Sequence, residues 1–341
     1  MTGRGVRTLV RDVWDREAPG PAARVLGSAL APPEVLFRVA VRARNSWYDR
    51  TLPPGAPIPV ISVGNLTVGG TGKTPVLRWL HDWLRVRGVG AAVVTRGYGE
   101  DETVLYRQWF GDGAVFAGSD RRAGVRAASA QGHDLALLDD GFQHRRVPRA
   151  LDILLLAAED PWRVRMLPRG PYREPLSAAG RATHVLVTRR TPRRGTAAKW
   201  RERLSRVAPG VPVVEAEMKM SEWSNLDGEA VAPPRGDVLA VCSIARPGPF
   251  ADGLGELLPG VRIELAAYPD HHDYTRDDMD ALLARRRDRT IVCTAKDAVK
   301  LTAFPEVGRH CIMVGFRVAG EPEGPLRDAL QRLAGSLCGS P

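Results

Sequence analysis

The stretch VGNLTVGGTGKTP, residues 63–75, constrains the fold of this chain more than any other. Before it, PIPVISV (57–63) is a short apolar, β-branched run that predicts a strand; after it, TPVLRWLHDWLRVRG (74–88) has helical periodicity and closes at Gly88. A strand, a glycine-rich turn and a helix that starts at Lys73-Thr74 make a phosphate-binding loop. Without a Cβ in the way, the backbone N–H groups of Gly69, Gly70 and Gly72 can approach phosphate oxygens, and the helix N-terminus adds a favourable dipole. The expected nucleotide-binding set is Thr67, Val68, Gly69, Gly70, Thr71, Gly72, Lys73 and Thr74, with Lys73 on the β- and γ-phosphates of ATP and Thr74 on Mg²⁺. Pro75 is compatible, since a first-turn proline forfeits an N–H that has no helical partner. Thr67 stands where the strict G-x-x-x-x-G-K-[ST] pattern has its first glycine.

Downstream, the apolar runs AAVVT (91–95), LALLDD (135–140), LDILLLA (151–157) and THVLVT (183–188) alternate with helical stretches. That alternation predicts a mainly parallel sheet covered by helices on both faces, a P-loop NTPase-like α/β core over 55–220 with its site at the carboxyl ends of the strands. SEWSNLDGEAVAPPRG (221–236) is polar and carries Gly and Pro, and reads as a linker or hairpin. Beyond it, VLAVCSI (238–244), RTIVCT (289–294) and HCIMVGF (310–316) supply strands for a smaller α/β unit over 237–341.

LALLDDGFQH places Asp139-Asp140 at the end of a hydrophobic strand, where carboxylates downstream of a phosphate loop hold Mg²⁺ directly or through water. YPDHHDYT (268–275) sets two histidines between two carboxylates; the spacing matches no zinc pattern, and a His beside an Asp can relay a proton.

The chain has 341 residues and a formal charge of +10, nearly all of it arginine, since only five lysines occur. Such a balance fits either a solvated basic surface or an anionic partner, and no aromatic-basic motif points to nucleic acid. The four cysteines are far apart, which argues against a zinc site or a disulfide framework and for a reducing compartment. No apolar run reaches the length of a spanning helix and no signal-peptide pattern opens the chain, so a protein neither secreted nor transmembrane is expected. VLFRVAVRARNSWYD (35–49), within an N-terminal basic segment (1–54), is amphipathic: Arg38, Arg42, Asn45 and Asp49 share a narrow face opposite Leu36, Val39, Ala40, Ala43 and Trp47. The wide apolar arc, the Trp and the arginines suit a helix lying in a membrane surface, and they suit equally a helix packed on its own domain.

Taken in order, VGNLTVGGTGKTP, TRGYG (95–99), DETVL (101–105), LLDDGFQHRR (137–146), MLPRGPYREP (166–175), CSIARPGPF (242–250), YPDHHDYT and TAKDAVKL (294–301) resemble the tetraacyldisaccharide 4′-kinase family, the lipid A kinases. The resemblance runs from about residue 30 to 318. It implies transfer of the ATP γ-phosphoryl group to the 4′-hydroxyl of a membrane-held tetraacyldisaccharide 1-phosphate, giving lipid IVA, by a peripheral enzyme on the cytoplasmic face of the inner membrane. It also implies that Asp101 accepts or relays the hydroxyl proton with His271 as dyad partner, and that Asp139, Asp140, Thr74 and Glu174 organise Mg²⁺. Gln143 and His144 would orient phosphate or substrate, and Arg169 and Arg173 would meet the substrate's 1-phosphate. Two departures stand out: the family's Gly-Asp-Glu-Pro reads Glu100-Asp101-Glu102-Thr103, and Ala295 replaces a frequent Glu.

The rival from another class is a membrane-associated partitioning ATPase, whose loop KGGTGKT differs from VGGTGKT at Val68; the missing lysine and the block LPRGPYREP favour the kinase. A soluble P-loop small-molecule kinase is a further alternative. The sequence leaves the oligomeric state open, with a monomer favoured.

Overall fold

The computed structural model describes residues 9–10, 12–14, 20–51, 53–97, 100–190, 194–244 and 247–338. Tyr98 and Gly99 of TRGYG, and Ala245 and Arg246 of CSIARPGPF, lie outside the described residues.

In chain order the strands are β1 (Val60–Asn65), β2 (Ala91–Thr95), β3 (Val115–Ala117), β4 (Leu135–Asp139), β5 (Leu151–Ala157), β6 (His184–Arg189), β7 (Val213–Ser224), β8 (Val238–Cys242), β9 (Ile263–Ala267), β10 (Thr290–Cys293) and β11 (Cys311–Val318). They form one sheet in the order β3-β2-β4-β1-β5-β6-β7-β11-β10-β8-β9. Every pairing is parallel except β7 with β11. Parallel strands need crossovers, and helices supply them on both faces. Along β5 the alternation is direct: Ile153 and Leu155 join Leu77, Leu80 and Leu84 of helix Lys73–Arg85 on one face, while Leu154 and Leu156 meet Trp200 and Leu204 on the other. With both faces covered, the strands lose the polar alternation of a half-exposed sheet and read as the continuous apolar runs seen in the sequence. Each leucine so enclosed contributes roughly 1.5–3 kcal/mol of transfer free energy.

The strand β7 joins the two halves. Residues 213–217 run parallel to β6, and residues 218–224 run antiparallel to β11. The first four residues of the 221–236 segment therefore continue a strand. The rest turns back on it, with Asn225 N–H donating to the Glu229 carbonyl at 2.9 Å and Val231 N–H to that of Trp223 at 3.0 Å.

The N-terminal helix Ala31–Asp49 packs through a mixed face, on which Val41 is buried and Phe37 partly buried in the cluster of Leu154 and Trp200, while Arg38 and Arg42 stay exposed. Glu34 is buried and accepts from the Met166 N–H at 2.9 Å; Asn45 reaches Glu174, and Asp49 pairs with Arg145 at 2.7 Å. Leu36, Val39 and Trp47 face outward at 73%, 60% and 55% exposure. An amphipathic helix normally buries its apolar stripe; this one presents part of it. Among the described residues no helix is long and apolar enough to cross a membrane.

Candidate active site

The site assembles at the carboxyl ends of β1, β4 and β2. Strand β1 ends in Asn65, and the chain then turns through the glycine loop into helix Lys73–Arg85. Gly72 has φ +90°, a left-handed conformation that favours glycine, and it packs against the flexible end of Met218. The loop is braced from outside: Val68 N–H donates to the Pro171 carbonyl (2.8 Å), Thr188 Oγ1 to that of Thr71 (2.9 Å), and Arg190 Nη2 to that of Gly70 (2.5 Å). Thr67, where the strict pattern has glycine, is buried and bridged to Tyr172.

Lys73 Nζ lies 3.5 Å from Asp140 Oδ1 and donates to Asn65 Oδ1 at 3.2 Å. Arg173 meets both oxygens of Asp140 at 2.9 Å and also donates to the Asn65 backbone carbonyl at 3.0 Å and to its side-chain oxygen. Burial alone would raise the Asp140 pKa, but Lys73 and Arg173 override it and hold this carboxyl well below the usual range. Asp139, at the strand end, behaves oppositely: burial, reinforced by Glu102, pushes it up to about 7. Its Oδ2 accepts from Thr95 Oγ1 at 3.3 Å, while its buried Oδ1 has no hydrogen-bond partner. A buried, unpartnered carboxylate oxygen beside Asp140 and Thr74 fits a divalent cation, which would remove the cost of ionising Asp139. Tyr106, fully buried, lies against Asp139 and Thr74, and its phenol is pushed well above its ordinary value, first by burial and then by Asp139 and Glu102.

After Asp139 the chain turns sharply. Asp140 takes φ +46°, and at Gly141 a Cβ would come 2.5 Å from Ser62 Oγ. This turn brings Gln143 Nε2 to the Asn65 carbonyl at 2.9 Å. His144 lies nearby with a buried, unpartnered Nε2; burial and then Arg121, Arg149 and Arg146 lower its pKa to about 4, so it is neutral at physiological pH.

The expected dyad, Asp101 with His271, is brought together from two distant segments. Asp101, buried on helix Glu100–Phe110, lies 3.3 Å from Nδ1 of His271 on the loop after β9. Burial raises the Asp101 pKa, but the His271 hydrogen bond and the Lys300 charge outweigh it and bring it down to about 2. The His271 pKa is raised, first by that hydrogen bond and against desolvation. Beside them Lys296 pairs with Glu102, and the Lys296 pKa is raised: desolvation opposes this, and Glu102 outweighs it. His272, the other histidine of YPDHHDYT, is engaged by Asp278 at 2.9 Å and takes no part.

Two expected residues stand elsewhere. Glu174 is fully buried, and its oxygens are taken by Asn45 (2.7 Å), Arg181 (3.0 Å) and Arg44 (3.4 Å), so it ties the loop to the N-terminal helix rather than joining the acidic pair. Arg169 lies 3.6 Å from Glu34 of the N-terminal helix, whereas Arg173 is engaged by Asp140. The sequence reading missed Asn65, Glu102, Lys296 and Lys300; the two lysines of TAKDAVKL, in a chain with so few, were the available signal.

A phosphate loop, a strand-end acidic pair flanked by Lys73 and Arg173, and an Asp–His pair on the far side define an ATP-dependent phosphotransferase of the P-loop class. A family model described as tetraacyldisaccharide-1-P 4′-kinase matches residues 26–104 and 100–335. The chain belongs to the tetraacyldisaccharide 4′-kinase family, which decides against the partitioning ATPase. Relatives bearing the name tetraacyldisaccharide 4′-kinase include one from Anaeromyxobacter sp. (strain K), 37% identical with 85% of each chain covered. Another, from Syntrophus aciditrophicus, is 31% identical over 93% of this chain and 96% of its own. The crystal structure of LpxK from Aquifex aeolicus in complex with ATP superposes with a TM-score of 0.70 at 28% identity, covering 90% of this chain and 99% of that one.

Proposed function

We propose that the protein transfers the γ-phosphoryl group of ATP to the 4′-hydroxyl of a tetraacyldisaccharide 1-phosphate, forming lipid IVA at the cytoplasmic face of the inner membrane. The observation that carries this reading is the convergence of Lys73, Asp140 and Arg173 with the Asp101–His271 pair in a member of this family. The core over 55–220 supplies the donor site, and the unit over 237–341 supplies His271.

Lys73 and Arg173 neutralise charge that develops on the transferring group, and the backbone N–H groups of the loop cradle the rest of the phosphate chain. Thr74, Asp139 and Asp140 would hold Mg²⁺, which would supply further charge neutralisation on the phosphates. Gln143 and neutral His144 line the same turn and orient phosphate or acceptor. His271 takes the hydroxyl proton on Nε2 while Asp101 holds its Nδ1–H. The His271 side chain is 39% exposed and that of Asp101 5%, and a carboxyl with pKa about 2 is the weaker base. Arg173, engaged at the acidic pair, serves the donor phosphate, which leaves Arg169 for the 1-phosphate of the acceptor.

A four-chain lipid does not leave its bilayer, so the enzyme goes to it. The outward Leu36, Val39 and Trp47 and the neighbouring arginines of helix Ala31–Asp49 support docking of that helix on an anionic membrane surface, as a monomer. The test is transfer of radiolabelled γ-phosphate from Mg·ATP to tetraacyldisaccharide 1-phosphate in mixed micelles. Lys73-dependent labelling of the lipid is expected; ATP hydrolysis without labelled lipid sinks the reading.

A further inference from the structure

We propose that Lys300 is a positioning residue for proton removal, the third member of the Asp101–His271 pair; the proposal rests on the kinase reading above.

Lys300 Nζ lies 3.6 Å from Asp101 Oδ2, the same oxygen that faces His271 Nδ1 at 3.3 Å. The ammonium also donates to the His272 backbone carbonyl at 3.0 Å. One side chain thus ties the carboxylate on helix Glu100–Phe110 to the backbone of the loop that carries His271. Its exposure is only 14%, and a largely desolvated ammonium is tolerated where its charge and its N–H groups are matched.

The placement of Lys300 is itself fixed relative to His271. One turn earlier on helix Ala295–Leu301, Asp297 is fully buried and accepts from the Ser243 N–H (2.9 Å), Ser243 Oγ (2.5 Å), Tyr274 OH (2.9 Å) and Thr294 Oγ1 (2.5 Å). The Ser243 carbonyl in turn accepts from the His271 N–H at 3.1 Å. Lysine helix and histidine loop therefore hang from one carboxylate. The His271 backbone sits at φ +57°, a conformation that costs energy in a non-glycine residue and persists where surrounding contacts over-determine it. Lys300 supplies one of those contacts at the neighbouring residue.

Proton removal needs His271 Nδ1–H on an ionised, stationary carboxylate, so that Nε2 is the free acceptor. Lys300 keeps Asp101 ionised and in place. The other charged groups facing the pair are Lys296, itself bound to Glu102, and Asp270 beside His271. Neither makes a described contact with Asp101.

The test compares full-length wild type, Lys300→Met and Lys300→Arg for phosphate transfer from Mg·ATP to tetraacyldisaccharide 1-phosphate in mixed micelles, with thermal unfolding of each. Lys300→Met is expected to lower kcat by roughly 10–100-fold, the effect of a misplaced reacting group, with KM for ATP unchanged. The acid limb of its kcat profile moves to higher pH, because loss of a nearby cation lets His271 hold its proton more tightly. Lys300→Arg restores most of kcat and returns the limb. Wild-type kcat and limb in Lys300→Met, while wild type transfers phosphate, overturns the proposal and leaves the kinase reading standing. A loss that follows a lowered Tm, with no limb shift and no rescue by Arg, also overturns it. Absence of transfer by wild type brings down the kinase reading and this inference with it.

Discussion

Arg173 grips Asp140 with both prongs of its guanidinium, Nη1 lying 2.9 Å from Oδ2 and Nη2 2.9 Å from Oδ1. Lys73 adds a second cation to the same carboxylate at 3.5 Å. Asn65 holds both cations by one amide oxygen, and under the proposed reaction this preassembles the positive charge that a transferring phosphate requires. Arg173→Ala should lower kcat by roughly 10²–10³, the span for loss of one preorganised transition-state donor. Arg173→Lys should recover only part of this, since an ammonium cannot reproduce the planar fork. Steady-state kinetics at saturating ATP decide; equal rates for Lys and Arg would mean that charge alone matters.

Asp139 is a buried carboxyl raised to about 7, so its sign runs opposite to that of a paired carboxylate. Between its unfolded pKa of about 4 and its folded value, the unfolded state gives up its proton first, and stability falls as pH rises. In EDTA, Asp139→Asn should therefore gain Tm over wild type progressively across that window. Adding Mg²⁺ should raise the wild-type Tm and leave the variant little changed. A pH-independent Tm difference would remove Asp139 from the cation site.

The Asp101–His271 pair contributes stability in a bounded window. Asp101, lowered to about 2, contributes above its unfolded pKa and loses that contribution as pH falls through the folded one; His271, raised, contributes below its unfolded pKa and loses it as pH rises through its folded one. The Tm deficit of His271→Gln should be largest between roughly pH 4 and 6 and shrink on both sides. A deficit that grows steadily into alkaline pH contradicts the pairing.

Glu174 is fully enclosed by Asn45, Arg44 and Arg181. Removing one partner of a buried ion pair strands the other, so Glu174→Ala should cost about 3 kcal/mol in denaturant unfolding. If Glu174→Gln instead leaves stability intact and raises the Mg²⁺ concentration needed for half-maximal rate, the residue is a metal ligand after all.

For the outward face of helix Ala31–Asp49, Leu36→Glu with Val39→Glu should abolish most cosedimentation with anionic vesicles and raise the apparent KM for vesicle-borne lipid. Unfolding should change by no more than about 0.5 kcal/mol, because both side chains are exposed. Val86→Glu, at an equally exposed position away from this helix, is the control. Equal vesicle binding by both variants would dismiss the helix as the docking element.

Much of the fold was legible because it is written in local pattern. AAVVT and LDILLLA coincide with β2 and β5, since strands buried on both faces need unbroken apolar runs. The phosphate loop was equally readable, because a glycine turn between strand and helix is a short-range property. Strand β7 was missed over 213–224 although Ala216, Met218 and Met220 alternate with Glu215, Glu217 and Lys219 in the period of a half-buried strand; past Met220 the register against β11 shifts and SEWS breaks the alternation, so the second half reads as the start of a polar linker. The family's motifs also named Asp101 and His271 as partners before any geometry was available, though they lie 170 positions apart.

The sequence by itself determined the α/β core, the donor loop, the acidic strand end and the family. Tertiary structure alone decided the partners of the charged side chains: Arg173 on Asp140 rather than a distant phosphate, Glu174 on Arg44 and Arg181, Lys296 on Glu102 and Lys300 on Asp101. It alone also turned Leu36, Val39 and Trp47 of the N-terminal helix outward. The physical reason is range. Periodicity and turn chemistry act over a few residues and leave a local record, whereas an ion pair depends on which surfaces meet once strands far apart in the chain share one sheet, and no neighbouring residue records that choice.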